Sequence, residues 1–234
     1  MIEAKQKIVI AGGGTGGHLY PAIAIAEEIQ KSSNYEVIFF GSKYGIESDI
    51  LKKYSNKYYL FNIRGIQRSL SLRSIAINIL FPFRFIISFI KTFLLFIKIN
   101  PIMVIGTGGY ASGVPLIIAV LLKKRILIQE QNSMPGLTTK KISKYAEAVC
   151  VAYNSISNEI NGKIILTGNP IRSNLVEMDK NKARALLNIK NRFTLLVIGG
   201  SQGSKAINEF ILKYKNDISN DINIVWICGR KNYN

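Results

Sequence analysis

Metal and disulfide chemistry have almost nothing to work with in this sequence. It contains one histidine, His18, and two cysteines, Cys150 and Cys228. No Cys-x-x-Cys pair occurs, so a zinc site built from protein ligands alone is close to excluded for want of its usual donors. Cys150 closes an apolar run and Cys228 follows Trp226-Ile227, so both read as small core residues of a reducing compartment. Acidic residues are scarce: 14 Asp and Glu stand against 31 Lys and Arg, a formal net charge of +17. Such an excess predicts an anionic partner, whether a phosphorylated ligand, nucleic acid or an acidic membrane surface. The joint abundance of Lys, Ile and Asn offers a compositional origin for the same charge. Residues 1–10 carry charges and lack the long apolar segment of a signal peptide. The longest uncharged run, Ile99 to Leu122, is broken by Pro101, Gly106, Gly108, Gly109, Gly113 and Pro115, which suits a strand, a loop and a helix better than a membrane span. The chain is expected to be cytosolic, with membrane association left open.

Of the 234 residues, 48% are hydrophobic and 19% charged, enough to build a core and too apolar for disorder. Short β-branched runs alternate with helical stretches. The runs are Lys7 to Ala11, Glu36 to Phe40, Tyr58 to Phe61, Ile102 to Ile105, Arg125 to Ile128, Ala148 to Val151 and Lys163 to Leu166. Continuous apolar strands separated by helices predict a parallel sheet covered on both faces, a doubly wound α/β domain. Residues 1–168 are assigned to it. Past Gly168-Asn169-Pro170 the pattern restarts with a polar helix (about 179–187), a strand at Thr194 to Ile198, a glycine loop, a helix to about Tyr214 and a strand at Ile222 to Ile227. One βαβ unit leaves sheet faces half covered. Residues 169–234 are therefore expected to begin a second, incomplete Rossmann-like domain.

The segment from Arg64 to Lys98 stands apart. After Arg64 to Arg68 it is nearly all aliphatic and Phe. Wound at about 100° per residue, Arg73, Arg84, Ser88, Lys91 and Lys98 share a narrow stripe. Ile79, Phe83, Ile86, Phe89, Ile90, Phe93 and Ile97 occupy the rest. Pro82 is expected to break the helix, kink it or start a new one. Two readings stand side by side: a membrane-surface helix with basic flanks, or a crossover helix packed on the sheet with its cations snorkelling to water.

Three glycine loops follow strands. The first, Gly12-Gly13-Gly14-Thr15-Gly16-Gly17-His18, opens a helix, and free N–H groups at a helix start favour an anion, most often phosphate. Gly12, Gly14 and Gly17 satisfy G-x-G-x-x-G, but the second strand ends Phe39-Phe40-Gly41-Ser42 without the carboxylate a dinucleotide ribose needs, so NAD is disfavoured. A loop that only packs helix on strand is the bland alternative. The second loop runs Gly106 to Gly113. The third, Gly199-Gly200-Ser201-Gln202-Gly203-Ser204, is not a P-loop, because Ser204 stands where the pattern needs glycine. Loops of this kind in two half-structures suggest two phosphate-bearing ligands across a cleft. His18 sits where that cleft would be. An imidazole there can stay neutral and accept a proton from a hydroxyl, or it merely caps the loop. Nucleic-acid binding is set aside, since no helix-turn-helix or RRM signature accompanies the charge.

Gly13-Gly14-Thr15-Gly16-Gly17-His18 with Pro21-Ala22, Gly108-Gly109-Tyr110-Ala111-Ser112-Gly113, Glu130-Gln131-Asn132, Gly168-Asn169-Pro170-Ile171-Arg172 and Gly199-Gly200-Ser201-Gln202-Gly203 occur in one order and spacing. In this the chain resembles the MurG family of GT-B glycosyltransferases over essentially its whole length. The resemblance implies two Rossmann-like domains, no metal and no cofactor. It also implies inverting transfer of N-acetylglucosamine from UDP-GlcNAc to the MurNAc 4-hydroxyl of lipid I in peptidoglycan synthesis. His18 matches a proposed base. Thr15, Gly16, Gly17, Asn132, Arg172 and Ser201 match contacts to UDP-GlcNAc. Gly13, Gly14, Gly108, Gly109 and Tyr110 match the loops that hold the acceptor pyrophosphate. Arg84, Lys91 and Lys98 match a basic, apolar surface that docks peripherally on the cytoplasmic side of the inner membrane. Two departures count. Gln129 replaces a histidine and cannot titrate. If the chain is complete as it stands, the second domain is expected to be incomplete and to lack most of the family's uridine and ribose contacts. An alternative is therefore a membrane-docked acceptor-binding subunit that needs a partner chain for the donor site, an arrangement similar to the eukaryotic two-chain transferase acting on dolichol-linked sugar.

Overall fold

The fold is that of a computed structural model, which describes residues 5–65, 71–172, 175, 179–200, 203–218 and 221–229. The chain divides into two compact units, 1–173 and 174–234.

The first unit is built on a seven-stranded parallel sheet: β1 (Gln6–Gly12), β2 (Tyr35–Ser42), β3 (Lys57–Phe61), β4 (Met103–Gly108), β5 (Arg125–Glu130), β6 (Ala148–Val151) and β7 (Ile164–Leu166). Each expected run is a strand. Their spatial order is β3-β2-β1-β4-β5-β6-β7. Alternate side chains feed two cores. Val9, Ala11, Ile38, Phe40, Val104 and Ile126 pack on one face, and Ile8, Ile10, Val37, Phe39 and Ile105 on the other. Helix α1 (Gly16–Gln30) covers the second face through Leu19, Ala22, Ile23 and Ala26. The first face receives α4 (Phe81–Ile99), α5 (Tyr110–Leu121) and α6 (Leu137–Ile142). The short helices α2 (Glu47–Ile50) and α3 (Leu72–Ile79) complete the unit.

The chain winds outward from β1 to β3, then returns to place β4 on the other side of β1. The order therefore reverses between β1 and β4. With α1 leaving on one face and α5 on the other, a crevice opens at their carboxyl ends, the general place for ligands in such sheets. A register shift between Ala11 and Gly12 brings Gly12 opposite Gly108. The first and second glycine loops thus start side by side.

Pro82 resolves the long apolar segment into two helices. It sits in the first turn of α4, where its missing N–H costs nothing. Asn100 ends that helix in the left-handed conformation, with its N–H donating to the Phe96 carbonyl.

The second unit contains α7 (Lys180–Leu186), β8 (Thr194–Ile198), α8 (Lys205–Tyr214) and β9 (Asn223–Ile227), with β8 and β9 paired in parallel. Asp179 caps α7, its carboxylate accepting from the amides of Asn181 and Lys182. Buried Asn208 on α8 accepts from Trp226 Nε1 and donates to the Cys228 carbonyl, tying helix to strand. Leu196 and Ile198 remain exposed on this small sheet.

Candidate active site

His18 enters the crevice on the first turn of α1 and is held from β4. Its Nδ1 lies 3.1 Å from the Thr107 carbonyl oxygen, and the buried Thr107 hydroxyl donates to the His18 carbonyl at 2.9 Å. Thr107 therefore fixes both the ring and the backbone of His18. The side-chain amide of Gln131 lies against the same ring nitrogen, and its Nε2 donates to the Thr107 carbonyl at 3.2 Å. The tautomer that donates Nδ1–H to Thr107 leaves the Nε2 lone pair free. Burial holds the imidazole below its ordinary pKa, while the Thr107 carbonyl and the Glu130 and Glu47 carboxylates pull the other way. The ring is thus kept neutral and able to accept a proton.

Room is left at Gly108 and Gly109 because the imidazole needs it. Both have positive φ, and a Cβ on Gly109 would collide with the Gly13 carbonyl and meet the His18 ring. His18, Gly108, Gly109, Tyr110, Glu130 and Asn132 line one side of a cavity of about 600 Å³. Phe81, Phe85, Val114 and Leu137 give it an apolar wall. Burial pushes the Tyr110 phenol upward, opposed by a hydrogen bond with Ser42, so it stays protonated as a donor.

Two buried carboxylates shape the loops. Glu130 accepts from the Asn132 amide and side chain (3.1 and 2.8 Å), the Gly136 amide (3.0 Å) and the Thr139 hydroxyl (2.6 Å). It anchors Asn132 at the rim of the cavity. Glu47 is fully buried and accepts from the amides of Gly14 and Ser42, each at 2.8 Å. Gly13 and Gly14 belong to the loop expected to hold the acceptor pyrophosphate, and within it the Gly14 N–H donates to Glu47. A buried carboxylate must find donors, and the loop supplies one. The second strand does lack a terminal carboxylate, but this one arrives five residues later and faces inward.

Four of the six residues expected at the sugar nucleotide, Thr15, Gly16, Gly17 and Arg172, gather at the start of α1. Thr15 stands at the helix N-cap without a side-chain cap bond, and the first turn holds no acidic residue. Gly16 packs beside the Tyr20 ring, and the Arg172 guanidinium lies over that ring at 4.5 Å. Thr15, Gly16, Gly17 and Arg172 thus form one patch that combines a helix N-terminus with a cation. Ser201 lies outside the described residues. Gln129 is buried and donates to the Asn169 side chain at 3.3 Å, tying the end of β5 to the segment after β7.

The expected basic stripe on α4 divides. Ser88 and Thr92 are buried and Arg84 has a buried Nη1, so these face the interior beside α5. Lys91 and Lys98 are exposed and flank an apolar ridge of Phe83, Ile86, Ile87, Ile90, Leu94 and Ile97, with Phe83 65% exposed. The helix is both a packed crossover and an outward apolar surface. The Arg73 side chain lies outside the described residues. No helix among the described residues is long and apolar enough to cross a membrane.

The sequence did not single out Glu47, and it gave Thr107, Gln131 and Arg64 no individual role within the stretches that contain them. The flanking glycines Gly41 and Gly45 were the available signal for Glu47, since a Cβ at either would collide with its side chain.

A family model described as the glycosyltransferase family 28 N-terminal domain matches residues 8–151, and one described as the family 28 C-terminal domain matches residues 194–234. A relative from Flavobacterium psychrophilum is 40% identical over 232 residues, covering 97% of this chain and 62% of the relative. One from Christiangramia forsetii is 39% identical over 233 residues, covering 96% and 62%. Both are named UDP-N-acetylglucosamine–N-acetylmuramyl-(pentapeptide) pyrophosphoryl-undecaprenol N-acetylglucosamine transferase. The chain thus spans about 62% of the length of these relatives. Among solved structures, MurG of Acinetobacter baumannii superposes with a TM-score of 0.67 at 25% identity, covering 97% of this chain and 59% of that one. The UDP-GlcNAc 2-epimerase of Methanocaldococcus jannaschii shares the fold, with a TM-score of 0.59 at 14% identity over 97% and 74% of the two chains.

Proposed function

Because the chain belongs to glycosyltransferase family 28, with a doubly wound fold of the GT-B type, we propose that it serves the transfer of N-acetylglucosamine from UDP-GlcNAc to the MurNAc 4-hydroxyl of undecaprenyl-pyrophosphoryl-MurNAc-pentapeptide. The observation that carries this reading is His18 clamped by Thr107 on a cavity lined by both polar and apolar side chains. The acceptor hydroxyl gives its proton to His18 Nε2 as its oxygen attacks the anomeric carbon from the face opposite UDP. The bond to UDP breaks with its electron pair on the diphosphate, and the configuration inverts. Charge developing on the leaving group is met by the start of α1 and by Arg172. Asn132, held by Glu130, contacts the sugar. Ser201 is assigned to the donor by its motif alone. Gly108, Gly109 and Tyr110 receive the acceptor diphosphate, while Gly13 and Gly14 act through loop shape.

In this reading residues 1–168 form the acceptor domain, and residues 169–234 begin the UDP-sugar domain. The ridge on α4, flanked by Lys91 and Lys98, docks on the anionic inner leaflet from the cytoplasmic side. Arg84 contributes to the packing of the ridge.

The test is transfer of labelled N-acetylglucosamine from UDP-GlcNAc to a short-chain lipid I analogue. Product of inverted configuration, lost in His18→Ala, is expected. A chain that binds the analogue yet transfers nothing would be an acceptor-binding module only.

A further inference from the structure

One cation in the cavity belongs to none of the motifs. Arg64 lines the space into which His18, Gly108 and Gly109 open. Its guanidinium carbon lies 3.7 Å from the centre of the Tyr44 ring, so the plane of the group is held by stacking. Tyr44 is itself fixed, its hydroxyl donating to Asn62 at 2.6 Å and its amide to the Ser42 hydroxyl at 3.0 Å. Next along the chain, Gly65 packs on the ring of Tyr110, the first residue of α5, so Arg64 and the start of α5 share a wall.

The Arg64 Nε is buried and has no hydrogen-bond partner. Neither neighbouring carboxylate answers it, because the oxygens of Glu130 and Glu47 are taken by internal donors. A guanidinium stacked on a ring, with a buried Nε that has no partner, suits a site completed by an external anion. The first glycine loop cannot receive that anion through Gly14, whose amide is occupied. The start of α5 can help, since Gly109 makes no side-chain cap bond and no acidic residue sits in the first turn. Phe81, Phe85 and Leu137 line the same cavity. A planar cation and apolar side chains in one cavity fit an anionic head on an apolar chain.

We propose that Arg64 grips the diphosphate of a prenyl-linked acceptor and sets its position relative to His18. This rests on the acceptor reading above and assigns within it a positioning residue.

The test uses the full chain and its single histidine as reporter. Imidazole NMR signals of His18 are followed during titration with farnesyl diphosphate, with farnesol and UDP as comparison ligands. Wild type should show saturable shifts with farnesyl diphosphate and far weaker ones with farnesol. Arg64→Gln should weaken binding by about 10–100-fold, the value of a charge-assisted contact, with the rest of the spectrum unchanged. Should that variant not fold, Arg64→Lys keeps the charge and loses the planar fork, and a weakening of about threefold or more is expected. Equal affinity in a folded variant would overturn the role of Arg64 while leaving the acceptor cavity standing. Absence of any shift in wild type would overturn both. Shifts caused equally by UDP, and lost in the same variant, would give Arg64 to the nucleotide and also overturn the proposal.

Discussion

Replacing Glu47 by Gln probes whether the first glycine loop is shaped from beneath. Both Glu47 oxygens accept backbone amides at 2.8 Å, from Gly14 and Ser42, and the residue has no exposed surface. Glutamine has one acceptor oxygen. Its amide nitrogen would face one of these N–H groups, donor against donor. One charge-assisted bond then becomes a neutral one, a loss of about 1 kcal/mol, and one buried amide goes unsatisfied, a further cost of about 1–3 kcal/mol. The sum of about 2–4 kcal/mol predicts a fall in Tm of the first unit of about 5–15 °C, at about 2–4 °C per kcal/mol for a domain of this size. Thermal denaturation followed by circular dichroism reads the fall. Hydrogen exchange at the Gly14 and Ser42 amides should accelerate, while exchange in β5 should follow only the global change. Glu28 supplies the comparison, being 72% exposed and paired with Lys31 across one helical turn. Glu28→Gln should move Tm by less than about 2 °C, as exposed pairs contribute little. A Glu47→Gln protein that melts with wild type and keeps both amides protected would refute the view that this carboxylate holds the loop.

Other consequences are accessible. With the folded pKa of His18 below its ordinary 6.5, the unfolded chain binds the extra proton first as pH falls. Stability should therefore rise with pH from the folded value up to about 6.5 and level off above it, and the acid limb of kcat/KM should have its midpoint below 6.5. An NMR titration of this imidazole with a midpoint at or above 6.5 would contradict both statements. Nitrogen-15 shifts should also show Nδ1 as the protonated ring nitrogen. His18→Ala should lower kcat by about 10²–10⁴-fold with acceptor binding kept, and an unchanged rate would demote the ring to a structural part. Lys91→Glu with Lys98→Glu should release the chain from vesicles containing phosphatidylglycerol and leave Tm unchanged. Arg84→Glu should instead lower Tm, because it alters a half-buried side chain whose Nη1 is buried. Thr107→Val should cost about 1 kcal/mol and broaden the His18 signals, since the hydroxyl clamp on its backbone is removed.

The strands were legible because a parallel sheet buried on both faces demands continuous β-branched sequence, and runs such as Lys7 to Ala11 and Ala148 to Val151 have no other simple use. The glycine loops were legible as places where backbone must turn or approach closely. Their supports were not. Glu47 is 33 residues from Gly14, and Thr107 is 89 from His18. No periodicity marks a carboxylate or hydroxyl whose partners are backbone groups so far along the chain. The helix α4 shows a different limit. Its cations do share a stripe by angle, but an apolar residue on nearly every other position means that angle alone cannot say which side meets solvent. Packing against α5 decides it through size. Ser88 and Thr92 are small enough to let two helices approach closely, so they turn inward and carry Arg84 with them. The large residues Phe83, Ile86, Ile90 and Leu94 are then left outside beside Lys91. Phe96 and Ile99 are buried on the inward side as well, so the helix carries more large apolar residues than its core face takes up, and that surplus on the outward side is what the proposed docking rests on.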